Sequence, residues 1–249
     1  MSERLLILPS DVTTTSFPNN TSTSYTTVLT KPIDKTEKDL TISLQEISIP
    51  FTFYNIEDEF YIKITLKDNS IKMIFLEGGV YSTAKDFELM LYHKLKNQPC
   101  AYTLSCDGEF TLKGNDIVKS IELHPKLMSI MGIELNQNNK KIMKGTHPFE
   151  EWANHKILFV ECSAIAPCYF NNDSRKILQS VNLPKKIEFG ESFSMTYNVL
   201  DFQPIEGERH SCVTIKLTDF FHEPIKLRSG TVLSKLIIYN ESGTTSYSH

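Results

Sequence analysis

Residues 8–56 constrain the fold more than any other stretch, because they spell a β-strand program that contains no reactive chemistry. The segment reads LPSDVTTTSFPNNTSTSYTTVLTKPIDKTEKDLTISLQEISIPFTFYNI. A Ser/Thr-rich lead is punctuated by Phe17-Pro18-Asn19-Asn20, a strand runs to Lys31-Pro32, and a longer alternating strand follows. Leu40, Ile42 and Leu44 share one face, and Ile47 and Ile49 continue in the opposite phase. Side chains alternate with period two along a strand. The slip at Gln45-Glu46 therefore predicts a β-bulge, or a strand that bends from one sheet into another.

The same period recurs downstream. Phe60, Ile62, Ile64 and Leu66 alternate, Asp68-Asn69 turns the chain, and Ile71, Met73 and Phe75 return, which predicts a hairpin. Tyr102 and Leu104 face Phe110 and Leu112 across Asp107-Gly108, a second hairpin, and Ile121 with Leu123 adds a strand. Residues 157–160 are apolar on both faces, as in a central buried strand. Residues 177–181 are a shorter candidate. Phe193, Met195, Tyr197 and Val199 alternate, as do Val213, Ile215 and Leu217, and residues 232–238 make a last buried strand. Two helices interrupt this series. Residues 83–96 carry Ala84, Phe87, Leu91 and Leu95 on one stripe, with Thr83 or Ser82 as N-cap and Asp86 in the first turn. Residues 125–131 begin at Pro125 and stop at Gly132. Both stripes read as core packing.

The chain is thus mainly β. Strands dominate up to residue 56 and again from about 156, whereas the middle mixes hairpins, a strand and helices. This order predicts a β-sandwich built from 1–56 and 149–243, an α+β insertion at 57–148, and a polar, frayed tail at 244–249. The alternative is two consecutive domains meeting near residues 145–154. With 249 residues, 40% of them hydrophobic and 22% charged, the chain buries a core without a metal or disulfide staple.

A search for chemistry finds little. The net charge of −4 argues against a protein that coats DNA, since phosphate neutralisation needs clustered cations. Lys140, Lys141 and Lys144 lie in an Asn-rich stretch without aromatics and read as a solvated loop. The first ten residues hold only a four-residue apolar run, too short for a secretory signal, and no run approaches the roughly 20 residues that span a bilayer. Five cysteines, an odd number, point to reduced thiols, and neither Cys100 with Cys106 nor Cys162 with Cys168 has zinc-knuckle spacing. There is no nucleophile elbow, no metalloprotease helix motif and no phosphate-cradling loop; Gly78-Gly79 reads as a tight turn. His147 and His155 flank Trp152 without carboxylates or cysteines at ligand spacing, and the carboxylates at 57–59 and 150–151 read as solvated surface. No catalytic, cofactor or metal site is expected, and the chain reads as a binding or structural protein rather than an enzyme. What remains distinctive is aromatic content in the loops: Phe17, Phe51, Phe53, Tyr54, Tyr169, Phe170, Phe220 and Phe221. Most fill a core in an ordinary fold; in an assembly some are interface anchors. The candidate interface residues are Phe17, Pro18, Tyr25, Phe51, Phe53 and Tyr54.

In order and pattern, the opening "LPS…FPNNT…YTT.L.KPI…L…LQEI.IP…YNI" resembles the minor capsid (penton) proteins of Polinton/Maverick elements, the virus-like DNA transposons of eukaryotes. Four later segments are similar to the same family: GGVYSTAKDFELMLYHKL, IELHPKLMSIMGIE, ILFVECSAIAPCYFNNDSRKILQSVNL and VTIKLTDFFHEPIKLRSGTVLSKLIIYN. Each is a loose pattern, and together they cover most of the chain in the family's order. The chain departs from the family at residues 219–224, where a more polar turn is expected, and at residues 136–154. The resemblance implies a jelly-roll sandwich that forms homopentamers at icosahedral vertices, beside double-jelly-roll major capsid proteins. It implies a virion protein made in the host cytoplasm, with assembly there or in the nucleus, and the net charge and short apolar runs add the expectations of no direct nucleic-acid contact and no membrane span. In a jelly roll the first and last core strands are neighbours, so residues 25–29 are expected to pair near residues 232–238, and residues 10–24 to form an arm for assembly. Residues 76–80 look like the Gly-Gly sites cut by adenovirus-like maturation proteases. A carbohydrate- or receptor-binding sandwich is the alternative function, and a hydrolase with dispersed catalytic residues stands behind it.

Overall fold

A computed structural model describes residues 2–11, 17–34, 40–170, 173–184 and 187–240. The tail at 244–249 and part of the Ser/Thr-rich lead lie outside these residues. The chain divides into two compact units, Met1–Phe53 with Ile157–His249, and Tyr54–Lys156.

The first unit opens with β1 (Ser2–Pro9), β2 (Ser24–Asp34) and β3 (Leu40–Pro50). The second unit holds β4 (Tyr61–Leu66), β5 (Ile71–Phe75), α1 (Ala84–Leu95), β6 (Cys100–Leu104), β7 (Phe110–Gly114), β8 (Val118–Leu123), α2 (Pro125–Ile130) and β9 (Ile142–Lys144). The chain then returns to the first unit through β10 (Ile157–Cys162), β11 (Cys168–Phe170), β12 (Asp173–Arg175), β13 (Ile177–Asn182), β14 (Ser192–Thr196), β15 (Gln203–Pro204), β16 (Arg209–Thr218) and β17 (Leu233–Asn240).

Two antiparallel sheets make the sandwich. One has the order β1-β17-β3-β14, with β15 also on β3; the other has the order β13-β10-β16-β2. Counting the eight principal strands along the chain, the first sheet runs first-eighth-third-sixth and the second runs second-seventh-fourth-fifth. First pairs with eighth, second with seventh, third with sixth and fourth with fifth. A single antiparallel ribbon rolled onto itself produces this nesting, which is the jelly roll.

Alternation supplies the core. Leu6, Leu8, Ile42, Leu44, Leu236 and Ile238 point inward from the first sheet, and Leu158, Val160, Val213, Ile215 and Leu217 from the second. The phase slip in β3 is a bulge: Lys235 faces Glu46 and Leu236 faces Leu44, so Gln45 is the extra residue. It lets Ile47 and Ile49 reach the core where strict alternation would have turned them out. β10 is central, and its outward Phe159 is covered by the rings of Phe170 and His222, with centroids 5.0 Å and 5.4 Å away.

The expected pairing of residues 25–29 with 232–238 is not formed. β2 pairs with β16 in the other sheet, with Val213 opposite Thr27, and β1 takes the place beside β17. Local pattern does not mark residues 2–9 as a strand, because their apolar run is short and lies next to two charged residues. Tyr25 still reaches the last strand, through its side chain rather than the ladder: its hydroxyl lies 3.1 Å from the Leu8 carbonyl, to which it donates, and 3.0 Å from Ser234 Oγ. The alternation over residues 193–199 is also shorter than expected, because β14 ends at Thr196 and Val199 is 87% exposed.

In the second unit two three-stranded sheets, β5-β4-β8 and β6-β7-β9, share a core with α1 and α2. Thr83 caps α1, its hydroxyl accepting from the Asp86 N–H at 3.1 Å, and Phe87, Leu91 and Leu95 are buried as the stripe predicts. Pro125 starts α2, and Gly132, at φ 66°, ends it against the His147 carbonyl, which a Cβ would strike at 2.1 Å.

Candidate assembly surfaces

The candidate interface residues separate into two groups. Tyr25, Phe51 and Phe53 are at most 1% exposed, so they are core residues and not surface anchors. Phe51 and Phe53 pack edge to face at 4.7 Å, and the backbone around them bonds to Glu191, Gly190 and Arg228. Strand aromatics fill the space between two sheets before any surface can use them, which overturns the assignment of these three residues. Phe17 is half-buried and Pro18 exposed, in a turn tied to β2 by the Asn20 amide, which both donates to and accepts from the Thr26 backbone at 2.9 Å. Tyr54, at the start of the second unit, is half-buried. The expected arm at residues 10–24 is attached where it is described: Ser10 and Thr23 are buried, and Ser10 Oγ accepts from the Val232 N–H at 2.9 Å.

The sandwich instead exposes an apolar band on the outer face of its first sheet. Leu5 is 53% and Ile7 54% exposed. Leu5 sits beside Ile237, Tyr239 follows on the same face, and the Tyr239 ring lies 5.5 Å from Phe202. Polar groups rim the band: Glu3 lies opposite Tyr239, and Lys235 bonds Glu46 at 2.7 Å beside Ile7. Apolar centre and polar rim are the anatomy of a protein–protein contact. The signal in the sequence is the alternation of Leu5 and Ile7 with Leu6 and Leu8, apolar on both faces of an edge strand.

Among the described residues nothing comparable to a reaction centre stands beside it. Among the described residues no three His, Cys, Asp or Glu side chains converge as a metal site. The five cysteines are free, and burial pushes the thiols of Cys100 and Cys162 up to about 11, away from the reactive thiolate. A groove of about 440 Å³ on the second sheet is lined by Glu161, Arg175, Lys176 and Lys216, with Lys176 already bonded to Glu206 at 3.1 Å. Lys141 and Lys144, from the basic stretch, face Asp116 and Glu109 at 3.4 Å and 4.0 Å. Gly79 is bridged to Ile56 by two backbone bonds, and the Gly78 N–H donates to the Asp58 carboxylate at 2.8 Å, so a cut there requires opening of this pairing. Among the described residues no helix is long and apolar enough to cross a membrane.

No family model and no curated protein matches the chain by sequence. Among solved structures it is similar to the mavirus penton protein, with a TM-score of 0.50 and 9% identity, over 96% of this chain and 99% of that one. The chain has the fold of the mavirus penton protein. A chain of the Sputnik virophage aligns over 96% of this chain and 98% of its own length, at 11% identity and a TM-score of 0.44. At 9% identity the penton fold is held by the alternation of inward residues and by strand order, the two features that the eight-strand roll requires.

Proposed function

We propose that this chain is a minor capsid protein of a Polinton/Maverick-type virion, a penton that closes into homopentamers at icosahedral vertices. The observation that carries the reading is the end-to-end correspondence with the mavirus penton protein, over 96% of one chain and 99% of the other. The jelly-roll strand order and the rimmed apolar band support it. A sandwich offers different surfaces on its two sides, and a head-to-tail contact repeated by about 72° closes a ring of five. Contacts of this permanence bury about 2,000 Å² or more, with an apolar centre. Leu5, Ile7, Ile237, Phe202 and Tyr239 supply that centre. The protein acts by packing rather than catalysis: it binds its own copies and a double-jelly-roll major capsid protein within the virion, without touching nucleic acid.

Sedimentation velocity tests the reading. The full chain is expected at about five times its 28.5 kDa mass, at high concentration or with the major capsid protein. Leu5→Glu combined with Ile7→Glu, both outward, is expected to abolish the pentamer while leaving the chain folded. A wild-type chain that stays monomeric and never enters capsids with that partner overturns it.

A further inference from the structure

Strand β5 is an edge strand with its apolar side turned to solvent. Ile71, Met73 and Phe75 are 57%, 43% and 54% exposed, and only Ile74 turns into the core. The register explains this: Tyr61, Lys63 and Thr65 of β4 face Phe75, Met73 and Ile71, and that row is the outer face of the sheet. β5 ends its sheet, and no described strand pairs with its other side.

The backbone of the same three residues also points outward. Leu66 N–H donates to the Ser70 carbonyl, and Leu76 N–H donates to the Phe60 carbonyl, both at 2.9 Å. Residues 70, 72, 74 and 76 are therefore the ones whose backbone groups face β4. In an antiparallel ladder the intervening residues turn their N–H and C=O groups the other way. Ile71, Met73 and Phe75 thus present free backbone donors and acceptors at the open edge and apolar side chains on the exposed face. This combination is a template for strand addition.

Charge selects the occupant. At the Ile71 end three exposed cations, Lys67, Lys72 and Lys119, outnumber the exposed carboxylate Asp68, and Lys119 Nζ lies 2.9 Å from Asn69 Oδ1. The exposed carboxylates Asp58 and Glu77 stand at the Phe75 end. We infer that β5 is a self-pairing edge, which joins antiparallel to β5 of a second copy about Met73. In that register Ile71 meets the second copy's Phe75, Met73 meets Met73, and Asn69 with its Lys119 meets Glu77. Apolar residues share one face as cross-strand pairs, and each basic end meets an acidic end. The contact is isologous, so it is distinct from the head-to-tail contact of a ring and does not depend on it.

Cross-linking tests the register in the full chain, with the exposed Cys106 and Cys168 replaced by serine. Directly opposed residues of a hydrogen-bonded pair have Cα atoms about 5.5 Å apart, within disulfide range. Met73→Cys is expected to oxidise to a covalent dimer at least tenfold faster than Lys72→Cys, whose symmetry mates lie beyond about 7 Å. Met73→Lys is expected to weaken concentration-dependent dimerisation at least tenfold in sedimentation, with an unchanged melting midpoint. Equal cross-linking at 72 and 73, or dimerisation untouched by Met73→Lys, overturns the inference. Pentamers without a 73–73 cross-link sink it alone, whereas the cross-link in a chain that never forms pentamers upholds it and counts against the penton reading.

Discussion

β1 and β5 are built on one pattern and end differently. Both are edge strands, and both expose apolar residues on the outer face of their sheets. Both also turn the backbone of those residues to the open side: Ser10 N–H donates to the Val232 carbonyl at 2.9 Å, so the even residues of β1 face β17 and Glu3, Leu5, Ile7 and Pro9 face out. β1, however, is gated. Glu3 puts a charge at one end, Pro9 has no N–H to offer at the other, and the Arg4 guanidinium donates across to the carbonyls of Lys31 and Pro32. On β5 neither charge nor proline interrupts the outward row; its one charged residue, Lys72, lies on the opposite face from the apolar row. Outward apolar alternation therefore does not by itself open a strand's edge to pairing, whatever the face of the sheet binds. What decides is whether charge, proline or a bridging side chain closes the edge.

The largest effect is expected from removing β1. Deleting residues 2–9 takes Leu6 and Leu8 from the core, leaves β17 as the edge and strips Tyr25 of the Leu8 carbonyl. The sandwich is expected to unfold, with loss of near-ultraviolet circular dichroism and of amide protection in β3 and β17. A cooperatively folded chain without β1 would break the comparison, since β1 would then be an added strand and not part of the fold.

Acid separates the two units. Burial, aided by the charge of Lys126, pushes the His155 imidazole down to about 3 from 6.5. Below pH 6.5 the unfolded chain takes up a proton that the folded one refuses, so this contribution is fully retained above 6.5 and is lost as pH falls towards 3. At pH 5 the loss amounts to about 2 kcal/mol. Hydrogen exchange at pH 7.5 and 5 is expected to show weakened protection in the Tyr54–Lys156 unit, with His155→Gln flattening the dependence. Equal loss in both units would assign the acid effect elsewhere.

The stapling of β1 from within is worth less. Tyr25 is buried, and burial pushes its hydroxyl up to about 12, so it stays a neutral donor. Tyr25→Phe leaves the Leu8 carbonyl and Ser234 Oγ each short of a partner and is expected to cost about 1–2 kcal/mol in denaturant titrations. No change would mean that β1 is held by its ladder alone.

How much of this was legible follows from what a period-two pattern contains. The bulge at Gln45, the Thr83 cap of α1, the start of α2 at Pro125 with its stop at Gly132, and the central position of residues 157–160 are legible in local order. The pattern states that Ile71, Met73 and Phe75 share a face, but not which face. That choice is made by the pairing of Phe75 with Tyr61, which depends on the length of the turn between the strands. Tyr25, Phe51 and Phe53 are core residues for a related reason that local sequence does not carry: an aromatic in a polar stretch is buried only once the facing sheet is in place. The band of Leu5, Ile237, Tyr239 and Phe202 joins three distant segments, and no window of sequence contains it.

The smallest expected change in stability comes from opening the gate on β1. Glu3→Val removes the charge, and Pro9→Val restores an outward N–H, while both positions lie outside the core row of Leu6 and Leu8. Surface substitutions of this kind shift stability by about 0.5 kcal/mol or less. The doubly substituted chain is expected to melt where the parent does, yet to gain concentration-dependent association in light scattering that survives Met73→Lys on β5. If it gains none, the Arg4 bridge to Lys31 and Pro32 is sufficient to close the edge, and Arg4→Ala added to the pair is the change expected to release it. Silence from the triple variant as well would mean that the β1 edge is closed by something other than its gate, and β5 would then be the open strand for a reason that charge and proline do not explain.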